Sequence, residues 1–262
     1  MNTSIRILPD SAFLADVAAR TVVAAVNEAV ARDGRCTLAL AGGNTPVGTY
    51  RTLAERYRES APWQEVRFLQ GDERMVPPDH EDSNFGMARR ELLVPLSLSD
   101  EAVLRISGEA GSAEAAAAAY EADLHRLFRA PPHLPPRVDL VLLGLGSDGH
   151  TASLMPECRQ ALFEEEHWVT SCRLERLTHP RVSLTIPVLN AAREVIFLVS
   201  GRGKADILHR VLENGDPSDL LPAQRIRPDE GRVQWLVDAD AAGALSTPFR
   251  ERVAKAGGEL TI

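Results

Sequence analysis

The stretch GLGSDGHT (Gly144–Thr151) places glycines, Asp148 and His150 directly after an apolar run, Val138–Leu143. An imidazole with an ordinary pKa is a natural general base at neutral pH. A lone histidine is more often a hydrogen-bonded structural residue, but this one follows a predicted central strand and lies beside glycines. Asp148 is near enough in sequence to orient the imidazole or a neighbouring cation. Both are therefore candidate catalytic residues.

The same letters match G-x-G-x-x-G, the pattern of dinucleotide-binding turns. That fingerprint requires a long apolar helix immediately afterwards and an acidic residue at the end of the following strand. Here the chain continues HTASLMPEC, which begins with polar residues and soon reaches Pro156. The acids Glu164–Glu166 precede the next predicted strand, and Glu175 lies past its end. The sequence therefore disfavours binding of a nicotinamide dinucleotide.

A second glycine-containing loop is AGGNTP (Ala41–Pro46), which also follows an apolar run. Gly42 and Gly43 let the main chain approach a ligand closely, and Asn44 and Thr45 offer side-chain donors. The proline that ends the loop opens a predicted helix. A helix N-terminus preceded by glycines suits a phosphate group. A plain tight turn with a helix cap is an equally good interpretation of this loop alone.

Charged residues follow a third predicted strand in GDERMVPPDHEDSN (Gly71–Asn84). Asp72 and Arg74 leave the strand directly, and the guanidinium of Arg74 suits a phosphate or carboxylate partner. An isolated Asp-Glu-Arg is more often a solvated charged loop. The loop becomes a candidate site only in combination with the other two.

Further cations are Arg181 in HPRVSLT, and Arg202 and Lys204 in SGRGKADIL. Each alone is most simply a surface residue, although Lys204 near a helix start suits a phosphate. GRGK is not a P-loop, because the upstream glycine and the following Ser or Thr are missing. The sequence contains no HExxH, no EF-hand, no clustered Cys and His, and no G-x-S-x-G. A metal site is therefore not indicated.

Predicted strands and helices alternate along nearly the whole chain. This pattern predicts an α/β fold, a mainly parallel open sheet with helices on both faces, whose ligands bind beyond the carboxyl ends of the strands. The proline-rich PPHLPP (Pro131–Pro136) is the best linker candidate, yet a single domain over 1–262 is the simpler expectation. The predicted strands are Cys36–Ala41, Glu65–Gln70, Leu104–Ile106, Val138–Leu143, His167–Cys172, Val182–Ile186, Glu194–Ser200 and Val233–Val237. The predicted helices are Asp10–Arg32, Pro46–Arg58, Phe85–Leu93, Ala113–Arg129 and Gly203–Leu212, with a short alanine-rich helix after the last strand.

The chain carries 29 basic and 37 acidic residues, a net charge of −8. This balance disfavours nucleic acid or an anionic membrane as the main partner but allows a small anionic ligand in a local basic pocket. Three cysteines without a CxxC motif indicate a reducing compartment. No apolar run has the roughly 20 residues of a membrane helix, and no secretory signal is visible at the N-terminus. We expect a cytoplasmic protein and predict a monomer.

Taken together, five stretches occur in the order seen in bacterial-type 6-phosphogluconolactonases, a family that this chain resembles from about Leu38 to about Leu236. They are AGGNTPVGTY, FLQGDERMVPPDHEDSN, LVLLGLGSDGHTASLMP, HPRVSLT and VIFLVSGRGKADIL. The resemblance implies one α/β domain related to glucosamine-6-phosphate deaminases and ribose-5-phosphate isomerases. It implies hydrolysis of a small-molecule phosphosugar lactone, 6-phospho-D-glucono-1,5-lactone, without metal or organic cofactor.

By motif position, the resemblance assigns the general base to His150 and the phosphate-side loop to Gly43, Asn44 and Thr45. It assigns Asp72 and Arg74 to the family's DER motif. Arg181 and Lys204 match its basic residues near the substrate. The residues agree with this chemistry, because a lactone is an activated ester that water attacks with general-base help.

Two other functions remain open at this point. Sugar-phosphate deaminases share the glycine loop and DGH, but they typically continue I-A-F-N-E-P and carry DEY, where this chain has TASLMP and DER. A non-catalytic sugar-phosphate sensor is the second alternative. Some such regulators carry a DNA-binding helix-turn-helix before the sensor domain. Here the α/β pattern starts within the first forty residues and the chain is acidic, so we expect no such module.

Overall fold

The computed structural model of the chain describes residues 2–131, 134–214 and 220–262. Within these ranges, eight strands form a mainly parallel sheet in the order β11-β1-β10-β9-β6-β2-β3-β5, with only β11 antiparallel to its neighbour. The strands of this sheet are β1 (Asn2–Leu8), β2 (Cys36–Leu40), β3 (Val66–Gln70), β5 (Val103–Leu104), β6 (Leu140–Leu143), β9 (Glu194–Val199), β10 (Arg232–Asp238) and β11 (Glu259–Thr261).

A second, antiparallel sheet in the described part of the chain has the order β4-β8-β7. Its strands are β4 (Asp72–Arg74), β7 (Val169–Cys172) and β8 (Arg181–Leu184). The strands expected at His167–Cys172 and Val182–Ile186 therefore form, but they lie outside the parallel sheet. β4 was expected to be loop; it pairs with β8 because Gly71 lets the chain turn out of the main sheet, where its carbonyl accepts from Leu184 N at 2.9 Å.

Helices cover both faces of the main sheet, as the sequence predicts. They are α1 (Ser11–Asp33), α2 (Thr45–Arg56), α3 (Asn84–Ala88), α4 (Ala113–Phe128), α5 (Arg159–Leu162), α6 (Ile186–Ala191), α7 (Ala205–Glu213) and α8 (Thr247–Lys255). Successive residues of a strand point to opposite faces. Leu140 and Leu142 thus pack with α1 and α2, whereas Val141 and Leu143 pack in the core formed with α4 and α7. The fully apolar strand β6 is typical of a parallel sheet that is buried on both sides.

The ends of α1 follow from its flanking residues. Asp10 caps the helix by accepting from Phe13 N at 2.8 Å, and Gly34 ends it with a φ of 71°. Aspartate and glycine are preferred residue types at these two positions. The predicted helix over Phe85–Leu93 is instead the short α3 followed by a π-helical turn, Arg89–Leu93.

Two tyrosine hydroxyls close the carboxyl ends of β2 and β3. Tyr50 on α2 accepts from Ala41 N at 3.0 Å and donates to Ala41 O at 2.9 Å. Tyr120 on α4 makes the same pair of bonds with Gln70, at 3.0 and 2.9 Å. Both side chains are fully buried, and burial raises the pKa of each phenol far above its ordinary value. At the point where each strand stops pairing with its neighbours, the phenol hydroxyl provides the hydrogen bonds for the free main-chain N–H and C=O. Buried main-chain groups need such partners.

In the described ranges, no helix is both long and apolar enough to cross a membrane. The linker candidate Pro131–Pro136 contains Pro132 and His133, which lie outside the described residues.

Candidate active site

Loops from the carboxyl ends of β2, β3, β6 and β9 surround a cavity of about 410 Å³. This is the edge at which parallel sheets bind ligands. The structure brings most of the candidate site residues together here: Gly42, Gly43, Asn44, Thr45, Asp72, Arg74, His150 and Lys204 line the cavity. Asp148, Arg181 and Arg202 are not among the lining residues.

The glycines after β6 form the turn that positions His150. Gly146 N donates to His150 O at 2.8 Å, and Gly149 N donates to Gly146 O at 3.1 Å with Gly149 at a φ of 86°. A Cβ on Gly146 would lie 2.1 Å from Nδ1 of His150, so the imidazole lies directly against the main chain of this turn. No long helix follows, since the next helix is the four-residue α5. The G-x-G-x-x-G match is therefore a histidine-presenting turn.

Asp148 fixes the orientation and tautomer of His150. Its Oδ1 lies 2.5 Å from His150 Nδ1 and also accepts from His150 N at 3.1 Å. The hydrogen bond and charge of the histidine hold the pKa of Asp148 well below its ordinary value. An ionised carboxylate on Nδ1 makes that nitrogen the donor, which leaves Nε2 with the lone pair of a base. Both side chains are 30% exposed, which gives the imidazole access to water.

Arg176 lies behind the Asp148–His150 pair and belongs to no motif of the sequence. Its Nη2 lies 3.0 Å from Asp148 Oδ2 and 2.8 Å from Glu157 Oε2. The guanidinium thus holds the far side of the carboxylate that orients His150. Nothing in the spacing of Arg176 relative to the glycine turn indicates this contact.

Asp72 is buried where three segments meet. Its Oδ2 accepts from Ser153 Oγ at 2.6 Å, and its Oδ1 accepts from Asn84 Nδ2 at 3.2 Å. A Cβ on Gly42 would lie 2.0 Å from Asn84 Oδ1, so the glycine loop needs its missing side chain here. Asn84 lines the cavity and joins the loops after β2 and β3. The cap of α3 is Ser83, and Asn84 is the first residue of that helix.

Glu73 holds the same loop together through hydrogen bonds to its buried carboxylate. It is only 1% exposed and accepts five hydrogen bonds in the described structure. The donors are Gln70 Nε2, Arg74 N, Ser83 Oγ, Asn84 N and Phe85 N. The middle residue of the DER motif therefore ties β4 to the start of α3 and does not face the ligand cavity.

Replacing Glu73 by alanine is expected to lower the free energy of unfolding by more than about 3 kcal/mol, because each buried donor left unpaired costs about 1–3 kcal/mol. Chemical denaturation monitored by circular dichroism measures this loss. Glu165→Ala removes an exposed glutamate and is the matched control, expected within about 0.5 kcal/mol of the wild type. Equal stability of the two variants would contradict the role given to Glu73.

Two arginines lie side by side at the second sheet. Arg74 and Arg181 are paired across β4 and β8, and Arg74 Nη1 donates to Asp82 O. Within the described residues, the Nε atoms of both arginines are buried without a hydrogen-bond partner. Burial, and then the charge of Arg74, lower the pKa of Arg181. Arg74 reaches the cavity, and Arg181 adds positive charge beside it.

Lys204 and Arg202 occupy one short turn before α7 but face different surroundings. Lys204 lines the cavity, and no carboxylate in the described part of the chain pairs with it. The side chain of Arg202 is 89% exposed and lies 3.9 Å from Asp240. Ser200, which matches no motif in the sequence, also lines the cavity. Its hydroxyl donates to Asp238.

Residues 9–235 match the family model described as glucosamine-6-phosphate isomerases/6-phosphogluconolactonase. A 6-phosphogluconolactonase of Nostoc sp. is 35% identical over 246 residues, which cover 94% of this chain and 100% of that protein. The solved structure of 6-phosphogluconolactonase from Trypanosoma cruzi has a TM-score of 0.80 at 29% identity, covering 92% of this chain and 96% of that one. A monomeric glucosamine-6-phosphate deaminase has a TM-score of 0.75 at 20% identity, covering 93% and 100%. That last similarity shows the fold alone.

Proposed function

Because this chain belongs to the family of glucosamine-6-phosphate isomerases and 6-phosphogluconolactonases, we propose that it hydrolyses 6-phospho-D-glucono-1,5-lactone to 6-phospho-D-gluconate. This reaction is the second step of the oxidative pentose phosphate pathway. The observation that carries the proposal is His150, which lines the cavity while Asp148 holds its Nδ1. The named relatives, among them the Nostoc protein, are lactonases of this kind.

The reaction needs one proton transfer in each direction. His150 Nε2 takes a proton from water as the water oxygen attacks C1 of the lactone. Arg74 and nearby main-chain N–H groups stabilise the oxyanion that forms on the carbonyl oxygen. The imidazolium then returns the proton to the ring oxygen as the C1–O bond breaks. Asp148, with Arg176 behind it, keeps the ring in the tautomer required for both steps.

In this proposal the phosphate of the substrate binds at the loop Gly42–Thr45, which lines the same cavity as His150. The loop Gly42–Thr45 leads into α2, whose first N–H groups face a ligand there, and Asn44 makes no side-chain cap that would occupy them. A helix N-terminus with a free cation nearby is a natural site for a phosphate monoester. Lys204 supplies that cation. These contacts select the phosphorylated lactone over the free one.

Residues after His150 favour lactone hydrolysis over deaminase chemistry. The deaminase pattern has an acidic residue in the tail that follows DGH, where this chain has Ser153, Leu154 and Met155. Ser153 is bonded to Asp72, while Leu154 and Met155 are buried in the core. None of the three offers a carboxylate for proton transfer on an open-chain sugar.

A direct assay decides between the two activities. Freshly generated 6-phosphogluconolactone is incubated with the purified protein, and 6-phosphogluconate formation is compared with the spontaneous rate. Glucosamine 6-phosphate is incubated in parallel, with ammonia as the readout. Lactone turnover well above background without ammonia release supports the proposal. Ammonia release, or lactone decay at the spontaneous rate only, contradicts it.

Lys204→Ala is expected to lower kcat/KM for the phosphorylated lactone by about 10–100-fold, since a hydrogen bond to a charged group contributes about 1.5–3 kcal/mol. Turnover of unphosphorylated gluconolactone is expected to change little. Arg202→Ala is the matched control, because it removes an exposed cation two residues away. An equal loss on both lactones, or an equal loss in the control, would remove Lys204 from the phosphate site.

We propose further that the enzyme is cytoplasmic and acts as a monomer. Its catalysis uses neither a metal nor an organic cofactor. Size-exclusion chromatography with light scattering measures the molar mass in solution and so tests the monomeric state. Activity that survives exhaustive treatment with a chelator tests the metal-independent chemistry.

A further inference from the structure

Two loops at the rim of the second sheet bring His80, Asp82 and His179 together. Nε2 of His179 lies 3.4 Å from Asp82 Oδ2, and Nδ1 of His80 lies 3.9 Å from the same oxygen. The two imidazoles are arranged edge to face at 5.4 Å. One possible ligand atom from each residue lies within 4.8 Å of the others, and no other such group occurs among the described residues.

We propose that His80, Asp82 and His179 bind a divalent transition metal ion, with Zn²⁺ as the best match. Two imidazoles and one carboxylate form a donor set that Zn²⁺ accepts, at bonds of about 2.0–2.2 Å. Tetrahedral ligands at those lengths are roughly 3.3–3.5 Å apart. The separation of His179 from Asp82 already fits, and His80 has to approach the Asp82 oxygen by about half an ångström. Mg²⁺ and Ca²⁺ prefer ligand sets made only of oxygen.

The site is open to an entering ion. The side chains of His80, Asp82 and His179 are 37%, 48% and 24% exposed. In the metal-free form, His80 Nδ1 accepts from Asp82 N at 3.0 Å, and a metal bound to that nitrogen takes over its lone pair. The released N–H belongs to a half-exposed residue, so water replaces the lost bond. The three protein ligands leave a coordination position for water.

Neighbouring charges set the strength of binding. Arg74 donates to the main-chain oxygen of Asp82, and Arg181 follows His179 by two residues, so both cations oppose a bound metal. Asp79 and Glu81 lie in the same loop as His80 and partly offset them. We therefore expect affinity in the micromolar range, weaker than a closed structural zinc site.

The position of the ion links it to the cavity without placing it in the reaction. A metal on the Asp82 side chain immobilises the segment whose carbonyl oxygen holds the guanidinium of Arg74. No proton or substrate atom of the proposed reaction passes through the ion. The sequence did not indicate the site, because its ligands come from loops far apart in the chain and the pair His80 and Asp82 matches no metal motif.

The test uses the full-length protein after chelator treatment and dialysis. Zn²⁺ is titrated in competition with a chromogenic chelator, and Co²⁺ is added separately, because its visible d–d absorption reports a low-symmetry site with nitrogen ligands. We expect one ion per chain, with at least tenfold weaker binding in His80→Gln and in His179→Gln. Mg²⁺ at the same concentration is expected not to compete.

Two variants serve as controls. His167→Gln removes an exposed histidine that lies 3.5 Å from Glu121 Oε1, an oxygen that His125 also approaches, at 3.8 Å. Among the described residues, these three side chains do not form a group whose ligand atoms all lie within 4.8 Å of one another. His150→Asn removes the imidazole of the candidate active site. Both are expected to retain wild-type affinity for Zn²⁺. The proposal is overturned if the wild type binds no Zn²⁺ at 100 µM or so, or if His150→Asn loses the ion while His80→Gln and His179→Gln retain it.

Discussion

His150→Asn is expected to lower kcat for lactone hydrolysis by about 10²–10⁴-fold, the usual contribution of a positioned general base. Asparagine retains a polar group near Asp148 but has no nitrogen that accepts a proton at neutral pH. The substitution removes no group placed at the phosphate, so KM is expected to change much less than kcat. The combination of a large kcat effect and a small KM effect is typical of a group that acts in the transition state.

The measurement must resolve enzymatic turnover from spontaneous hydrolysis of the lactone. Initial rates are therefore taken at several enzyme concentrations, and the slope against concentration gives the catalysed rate. His167→Asn, which changes an exposed histidine outside the cavity, is expected to keep wild-type activity. A wild-type rate in His150→Asn would mean that the base is another residue. An absence of catalysis in both the variant and the wild type would favour a sugar-phosphate-binding protein without enzymatic activity.

Gly146→Ala is expected to reduce kcat nearly as much as the loss of the imidazole itself. The added Cβ would lie 2.1 Å from Nδ1, 2.2 Å from Cε1 and 2.5 Å from Cγ of His150, so the whole ring has to swing away. The movement breaks the 2.5 Å contact with Asp148 and takes Nε2 from the cavity. The φ of Gly146 is not positive, so alanine causes no backbone strain there. Its effect is to displace the imidazole of His150.

Gly144→Ala is the matched control in the same turn. A Cβ on Gly144 would meet no atom within 4 Å, and its φ is also not positive. Gly144 lines the cavity, so its added methyl group can change KM, but it leaves the imidazole in place. We therefore expect a kcat near the wild-type value, and both proteins should show the same far-ultraviolet circular dichroism. A loss of activity in Gly144→Ala comparable with that in Gly146→Ala would mean that general flexibility of the turn, and not the position of the ring, limits catalysis.

The sequence predicts the main sheet well because its signals are local. The apolar runs at β2, β6 and β9 are long enough to be strands buried on both faces, and the glycines and prolines after them mark the loops. The same signals locate Gly42, Asn44, Asp72, Arg74, His150 and Lys204 at one edge of the sheet. In the structure these residues line one cavity, and their roles there stay predictions.

Other parts of the molecule depend on contacts between distant segments, and the sequence does not show these. β4 has only three residues and forms because β8 lies beside it. Glu73 and Arg176 look like surface charges until their donors and acceptors from other loops are in place. The terminal strand β1 mixes polar and apolar residues, and its partner β10 lies at the other end of the chain.

The pairs of hydrogen bonds made by Tyr50 and Tyr120 affect which parts of this fold can change in sequence and length during evolution. Each strand end is closed by a side chain from a helix, so the peptide segments beyond it are not needed to terminate the sheet. The two Tyr50 bonds moreover close the segment from Ala41 to Tyr50 into a ring, which lowers the number of conformations open to it. Insertions, deletions and new sequences beyond these two junctions can accumulate without fraying the scaffold. One architecture of this design can in this way host hydrolytic and isomerising chemistries in separate lineages.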